Sequence, residues 1–416
     1  MPVCVASRGT RVPRPSGVSC RAQLKTRVTI ICSNNGKNCL GRALLLGDLL
    51  RLRYDVSVVG IQTTERVWEV GESFQVPVSS FPIRTTFQLG SARRWLAKQV
   101  AGSRVIVCKP KPTSLGLALA AGVHPSRAIL DVDDWDLGFG DAPASKVELV
   151  QRTPYYLKTW LHPQRFNSYL GLRAAFGLIP LFPQRLVSNR WLQRKVGGAL
   201  LPHVRDARTF DPAQHDGQGR RQELDMQTRL WVGFIGTVRS HKGIEDLISA
   251  LAKIGGPSPP GLLLAGLGEV EVAAERELVQ LGTSRLGASR IRTVNAFPFA
   301  ELPDWLMVPD IVCIPSRPGT TSAGQIPAKM FDALMMAKPL VVSDAHDTSD
   351  LDPDAAMRFR AGDIDDLAQK LETMCADAGL RKRFAERARA VALNRFDYDA
   401  GRRVLEPMVA ALPVSP

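Results

Sequence analysis

The chain has 416 residues, is 45% hydrophobic and 23% charged, and carries a formal net charge of +14. That length exceeds one ordinary compact domain and suits two, each able to bury a core. Seven cysteines without a CxxC pair exclude a zinc site or disulfide framework of recognisable spacing. No run approaches the roughly 20 apolar residues that span a bilayer.

The cysteines sit partly inside apolar runs, as Cys108 does in "VIVCK" and Cys313 in "IVCIP". There a thiol acts as a small core residue, and a reducing cytoplasm is the expected compartment. Residues 1–26 hold five Lys/Arg and no acid. They read as a disordered basic tail, because no apolar centre follows the charges as in a signal peptide. Residues 1–206 carry 29 Lys/Arg against 12 Asp/Glu, a net +17, and the remainder 25 against 28, a net −3. A basic N-terminal half points to an acidic partner, such as anionic lipid or a phosphorylated acceptor, or else to general solubility. Nucleic acid is disfavoured, because no interleaved aromatics or known binding module accompany the charge.

Secondary structure alternates along the chain. "RVTIIC" (Arg27–Cys32) is a buried strand, "SNNGKNCLGR" a turn, "ALLLGDLLRLR" a helix and "DVSVVGI" a second strand. "SRVIVCKP" is a strand, "SLGLALAAGV" a helix, and "AILDVDDWD" a strand ending in acids. "QRLVSNRWLQRKVGGALLPH" gives strand, helix and strand. A polar linker begins near residue 206. A second alternation follows: "LWVGFIG" as a strand and "GIEDLISALAKI" as an amphipathic helix with Ile244, Leu247, Ile248, Leu251 and Ile254 on one stripe. "GLLLAGLG", "IRTVNAF" and "DIVCIPS" are strands, with helices between them. The predicted class is α/β, with two facing Rossmann-like domains built on parallel sheets. Their bounds are 27–205 and 206–392, followed by a C-terminal segment over 393–416.

In open α/β sheets the ligand lies beyond the carboxyl ends of the strands. Three of those loops carry chemistry. "FIGTVRSHKG" places Gly236 at a strand end, with Arg239 and Lys242 at the next helix start, an arrangement suited to a diphosphate. The same charges read equally as a solvated loop. "GTTSAGQIPAKMFDALMMAKP" begins with Thr320, Thr321, Ser322, Ala323 and Gly324, whose amides and hydroxyls can approach an anion. Asp332 follows within a helix and can accept hydroxyls from a ribose; the alternative is a surface pair with Lys329. "LDVDDWD" clusters Asp131, Asp133, Asp134 and Asp136 at a strand end, for a metal or sugar hydroxyls, or for capping and turn formation. The histidines form no triad, and no G-x-S-x-G elbow, HExxH or dinucleotide fingerprint occurs.

The succession of these motifs resembles glycosyltransferase family 4, with its GT-B fold and group 1 donor-binding domain. "GFIGTVRSHKGIEDLISAL" is similar to the family's G-x5-K-G loop and helix. "RLVSNRWLQRKVGGALLPHVRDARTFDP" resembles its entry into the second domain. "FPFAELPDWLMVPDIVCIPS" and "IPAKMFDALMMAKPLVVSD" resemble the segments around its P-S strand end, and the C-terminal segments its closing helices. The match covers roughly residues 200–400, and it implies that the closing helix over 393–416 crosses back to the first domain. It implies retaining transfer of a sugar from a nucleotide-sugar donor to a glycan, lipid-linked or other acceptor, with no cofactor and no metal essential. Separately, the basic half and the missing transmembrane run suggest a cytoplasmic place that is peripheral to the inner face of the membrane if that half binds lipid.

The resemblance implies roles residue by residue. Asp133, Lys242 and Arg239 are the expected catalytic residues. Gly236, Thr237, Thr320, Thr321, Ser322, Gly324 and Asp332 would bind the donor. Gly36, Lys37 and Arg42 would form the acceptor-side loop. Two positions depart from the family pattern: Gly324 stands where the first acid of a Glu-x7-Glu pair is usual, and Thr237 where an Arg is usual. The rival readings are a catalytically impaired GT-B protein acting as a binding partner, and a nucleotide-sugar epimerase on the same architecture.

Overall fold

The structure, a computed structural model, describes residues 25–68, 74–139, 146–159, 167–268, 272–319, 322, 324–349 and 351–414. Most of the expected basic tail (1–26), together with Thr320, Thr321 and Ala323, lies outside those residues.

The first sheet has seven parallel strands: β1 (Arg27–Cys32), β2 (Asp55–Gln62), β3 (Val78–Pro82), β4 (Arg104–Cys108), β5 (Ala128–Val132), β6 (Gln184–Val187) and β7 (Ala199–Leu200). Their order is β3-β2-β1-β4-β5-β6-β7. The second sheet has six: β8 (Trp231–Ile235), β9 (Gly261–Leu267), β10 (Ile291–Asn295), β11 (Ile311–Ile314), β12 (Leu340–Ser343) and β13 (Met357–Phe359). Its order, β10-β9-β8-β11-β12-β13, repeats the 3-2-1-4-5-6 pattern of doubly wound folds.

Each sheet is covered on both faces, so its strands are apolar at nearly every position. Along β1, Val28, Ile30 and Cys32 enter one core and Ile31 the other. Along β8, Trp231 and Ile235 face one side, Val232 and Phe234 the opposite one. The stripe predicted on helix Ile244–Lys253 is buried against β8 and β9, and Ile254 lies buried just beyond it.

Several elements escaped the sequence reading. Strand β3 is an edge strand, half-buried and ending in Pro82, so it lacks a strong apolar run. The helix expected over "SLGLALAAGV" shrinks to one wide turn (Pro112–Gly116) and a single helical turn, Leu117–Ala120.

The chain passes between the two sheets twice, and the crossings are bonded together. Arg205 N–H donates to the Phe396 carbonyl at 2.8 Å, and Tyr398 N–H to the Arg205 carbonyl at 3.1 Å. Helix Tyr398–Ala410 then buries Tyr398, Leu405 and Val409 in the core that holds Val28, Ile30 and helix Cys39–Leu50. The last helix therefore packs on the first domain.

Candidate active site

In a 3-2-1-4-5-6 sheet the strand order reverses between the first and fourth strands, and the loops there diverge to leave a crevice. Here the two crevices face each other. A cavity of about 560 Å³ lies between them. Its walls include Lys37 and Lys109 after β1 and β4, and Gly236, Lys242 and Gln325 after β8 and β11.

On the second-domain side, β8 ends at Gly236, whose φ of +119° favours glycine. The loop re-enters a helix through Gly243, at φ +69°, where a Cβ would stand 2.0 Å from the Pro315 carbonyl oxygen. Gly236, Thr237, Arg239 and Lys242 all line the cavity. Lys242 Nζ donates to Gln325 Oε1 at 3.3 Å. Burial holds its pKa down at about 8; Asp134 opposes that shift and Arg239 adds to it. Arg317 braces the loop from below, its guanidinium bidentate on Asp246 at 2.7 and 2.8 Å.

Asp332 lies in helix Ala328–Met335 and lines the cavity. It forms no surface pair with Lys329: its Oδ1 accepts from Arg205 Nε at the crossing between domains. Burial raises its pKa and Arg205 opposes the rise. Ser322 and Gly324 do not line the cavity. The Ser322 hydroxyl donates to the Arg317 carbonyl at 2.7 Å. Gly324 is pressed against Trp135 of the first domain. His346 lies beneath this loop, with Nδ1 at 2.7 Å from the Gln325 carbonyl oxygen and 3.1 Å from that of Ser322. Burial lowers its pKa to about 4, so the neutral ring donates to those carbonyls.

On the first-domain side, the acid cluster divides. Asp131 is fully buried and bidentate on Arg42, with Nη2 to Oδ1 at 2.8 Å and Nε to Oδ2 at 3.1 Å. The same guanidinium donates to the carbonyls of Leu201 and Pro202. Arg42 thus belongs to helix Cys39–Leu50, and it ties that helix to the ends of β5 and β7. Its donors are engaged by Asp131 and these carbonyls, while the residue also lines the cavity. Lys37 lines the cavity and is exposed. Gly36 does not line it; a Cβ there would stand 1.7 Å from Thr64 Oγ1.

Asp133, Asp134 and Asp136 converge on one ammonium. Lys109 Nζ lies 2.9 Å from Asp133, 2.6 Å from Asp134 and 3.7 Å from Asp136, and Lys111 reaches Asp136 at 2.7 Å. Burial pushes the Asp133 carboxyl up to about 7; Lys109 opposes the rise, and Asp134 and Asp131 add to it. For Asp134, burial pulls upward but Lys109 wins, leaving its pKa below the usual value. Lys109 itself sits at φ +68°, a left-handed conformation rare for a side-chain-bearing residue. Strain of that kind is concentrated at functional sites.

Lys109, Lys111, His203, Arg205 and Lys329 line the cavity without having been singled out from sequence. The available signal for the first two was "KPKP" directly after a strand at the reversal point. His203 and Arg205 lay in "PHVRD", just where the chain crosses.

Among the described residues no helix is long and apolar enough to cross a membrane. Residues 229–377 match the family model for glycosyl transferases group 1. No curated protein matches the sequence significantly. The solved structure of HepE from Anabaena in complex with UDP-glucose superposes with a TM-score of 0.70 at 18% identity, over 93% of this chain and all (100%) of that one. Sucrose-phosphate synthase from Thermosynechococcus elongatus gives 0.65 at 14% identity, over 93% and 99%. A glycosyltransferase from Rickettsia africae gives 0.66 at 13%, over 93% and 99%. Residues 229–377 are thus similar to a glycosyl transferases group 1 domain, carried on a chain with the GT-B fold.

Proposed function

We propose that this protein is a glycosyltransferase that takes a nucleoside-diphosphate sugar and transfers the sugar, with retention, to an acceptor hydroxyl. The observation that carries the reading is the cleft itself. Lys242 and Arg239 face a cavity at the strand-order reversal, and no carboxylate pairs with either among the described residues. Such cations suit a departing diphosphate, whose negative charge grows as the bond to the sugar breaks. HepE, at the same fold, is described in complexes with UDP and UDP-glucose.

In this reading the bond from the anomeric carbon to the diphosphate oxygen breaks, and a bond to the acceptor oxygen forms on the same face. The acceptor proton passes to the departing diphosphate oxygen. Gly236 and Thr237, which line the cavity, lie beside the diphosphate. Arg205 holds Asp332 toward the ribose hydroxyls. Asp133, poised near neutrality by burial, exchanges hydrogen bonds with the sugar. Charge neutralisation is assigned to side-chain cations, with no essential metal. The acceptor lies against Lys37 on the basic first domain and is a glycan or a lipid-linked hydroxyl at an anionic membrane face.

Incubation with UDP-, GDP- and ADP-sugars tests the donor reading through release of the nucleoside diphosphate. The anomeric proton coupling of the product tests retention. A second reading is favoured by Gly324, which packs on Trp135 and presents no carboxylate. There the protein binds a nucleotide sugar without transferring it, and binding without release would select that reading.

A further inference from the structure

Lys329 is a buried lysine in the wall of the cavity. It stands in the first turn of helix Ala328–Met335. Its Nζ is buried and has no hydrogen-bond partner among the described residues. It lies 3.8 Å from the centroid of the Phe234 ring and 2.9 Å from where a Cβ on Gly236 would stand. The glycine that ends β8 therefore leaves room for this ammonium, and any side chain there would displace it.

An unpaired ammonium in a buried setting is costly. Burial holds the Lys329 pKa well below that of an ordinary lysine; Lys242 and Arg239 lower it further and Asp332 opposes them. The charged and titratable groups facing it are few. Lys242, Arg239 and His241 come from the loop after β8, and Asp332 from its own helix. His241 is itself depressed to about 4, by burial first and then by these neighbouring cations. Asp332 is engaged by Arg205. Lys329, Lys242 and Arg239 thus gather around one opening, with no free acid between them among the described residues. An anion placed there would satisfy all three.

We infer that Lys329 is a third phosphate-binding cation, joining Lys242 and Arg239 around the diphosphate of a bound nucleoside diphosphate. The inference rests on the donor reading given above. It adds a consequence: an anion at its side opposes the depression of the lysine's pKa, so any proton linked to binding is taken up and not released. As the diphosphate departs, the same side chain stabilises the leaving group.

The test is calorimetric titration of the full chain with UDP, GDP and ADP, and with the matching nucleosides, in two buffers of different ionisation enthalpy. Wild type, Lys329→Met and Lys242→Ala are compared. Methionine fills the space over Phe234 and removes the buried charge. The ligand-free Lys329→Met protein is expected to melt at or above the wild-type temperature. Its affinity for the nucleoside diphosphate is expected to fall about tenfold or more, with the nucleoside affinity kept and any proton uptake reduced. If Lys329→Met binds the diphosphate as wild type does, with equal proton uptake, the inference is wrong and the donor reading stands. If the variant melts lower and loses nucleoside and diphosphate affinity alike, Lys329 is a structural residue and the inference is overturned. If wild type binds none of the three diphosphates, the donor reading fails and this inference fails with it.

Discussion

Gly324 and Trp135 touch across the cleft between the domains. The Gly324 carbonyl accepts from the Trp135 backbone N–H at 3.2 Å and from Asn189 Nδ2 at 3.3 Å. A Cβ at Gly324 would stand 2.3 Å from the Trp135 Cβ and 3.0 Å from the Trp191 ring. The glycine that looked like a lost acid in the sequence is what allows the two domains to meet here. Replacing it with Glu is therefore expected to part the domains, at a cost of about 1–3 kcal/mol from overpacking. Small-angle scattering should show a larger radius of gyration. A Gly324→Glu protein as compact and stable as wild type would contradict this packing role.

Arg42 and Asp131 form a buried, bidentate pair. Removing one partner strands the other charge. Arg42→Met is expected to destabilise the protein by about 3–5 kcal/mol in denaturant unfolding. Adding Asp131→Asn should recover part of that loss. If the single variant costs nothing, the pair is not the clamp described.

Burial lowers the Lys242 pKa to about 8, and an anion at its side raises that value. Below pH 8 it is already charged when a nucleoside diphosphate arrives. Above pH 8 it must first gain a proton, so the affinity should fall, by up to about tenfold per pH unit for a single lysine. The fall should be shallower in Lys242→Ala, which also binds more weakly at pH 7. Equal pH profiles for both proteins would remove Lys242 from the binding site.

Asp133 has a folded pKa of about 7, above the ordinary carboxylate value of 3.8, with burial as the main cause. Between those two values the folded state holds the proton and the unfolded state has lost it. Stability from this group therefore falls as pH rises from about 4 to 7 and levels off above. Melting temperatures across that window should decline more steeply for wild type than for Asp133→Asn. Parallel curves would mean that Asp133 is not protonated in the folded protein at low pH.

The two sheets were legible because their strands are buried on both faces. "RVTIIC" and "LWVGFIG" announce themselves as apolar runs, and the glycines at 236 and 243 mark the turn that follows. Edge strand β3 was not, since half of it faces solvent. The loops that surround the cavity could be named from the rule that ligands sit beyond strand ends. Partners within those loops could not. The Arg205–Asp332 bond joins residues 127 apart, and the Arg42–Asp131 pair residues 89 apart. Nothing local in the sequence says which of four clustered aspartates takes the arginine and which take Lys109. Lys329 was visible only as a neighbour of Asp332, because its burial against Phe234 depends on how the helix docks.

The central claim is that a nucleoside-diphosphate sugar sits between the domains against Lys242. Thermal melting of wild type and Lys242→Ala, with UDP, GDP, ADP, their sugars and the bare nucleosides, tests it most directly. A ligand that binds only the folded protein raises its melting temperature by mass action. One diphosphate and its sugar should raise the wild-type value by several degrees at about 1 mM, with little shift from the nucleoside and a much smaller one in the variant. No shift with any of them, or an equal shift in Lys242→Ala, would contradict the account.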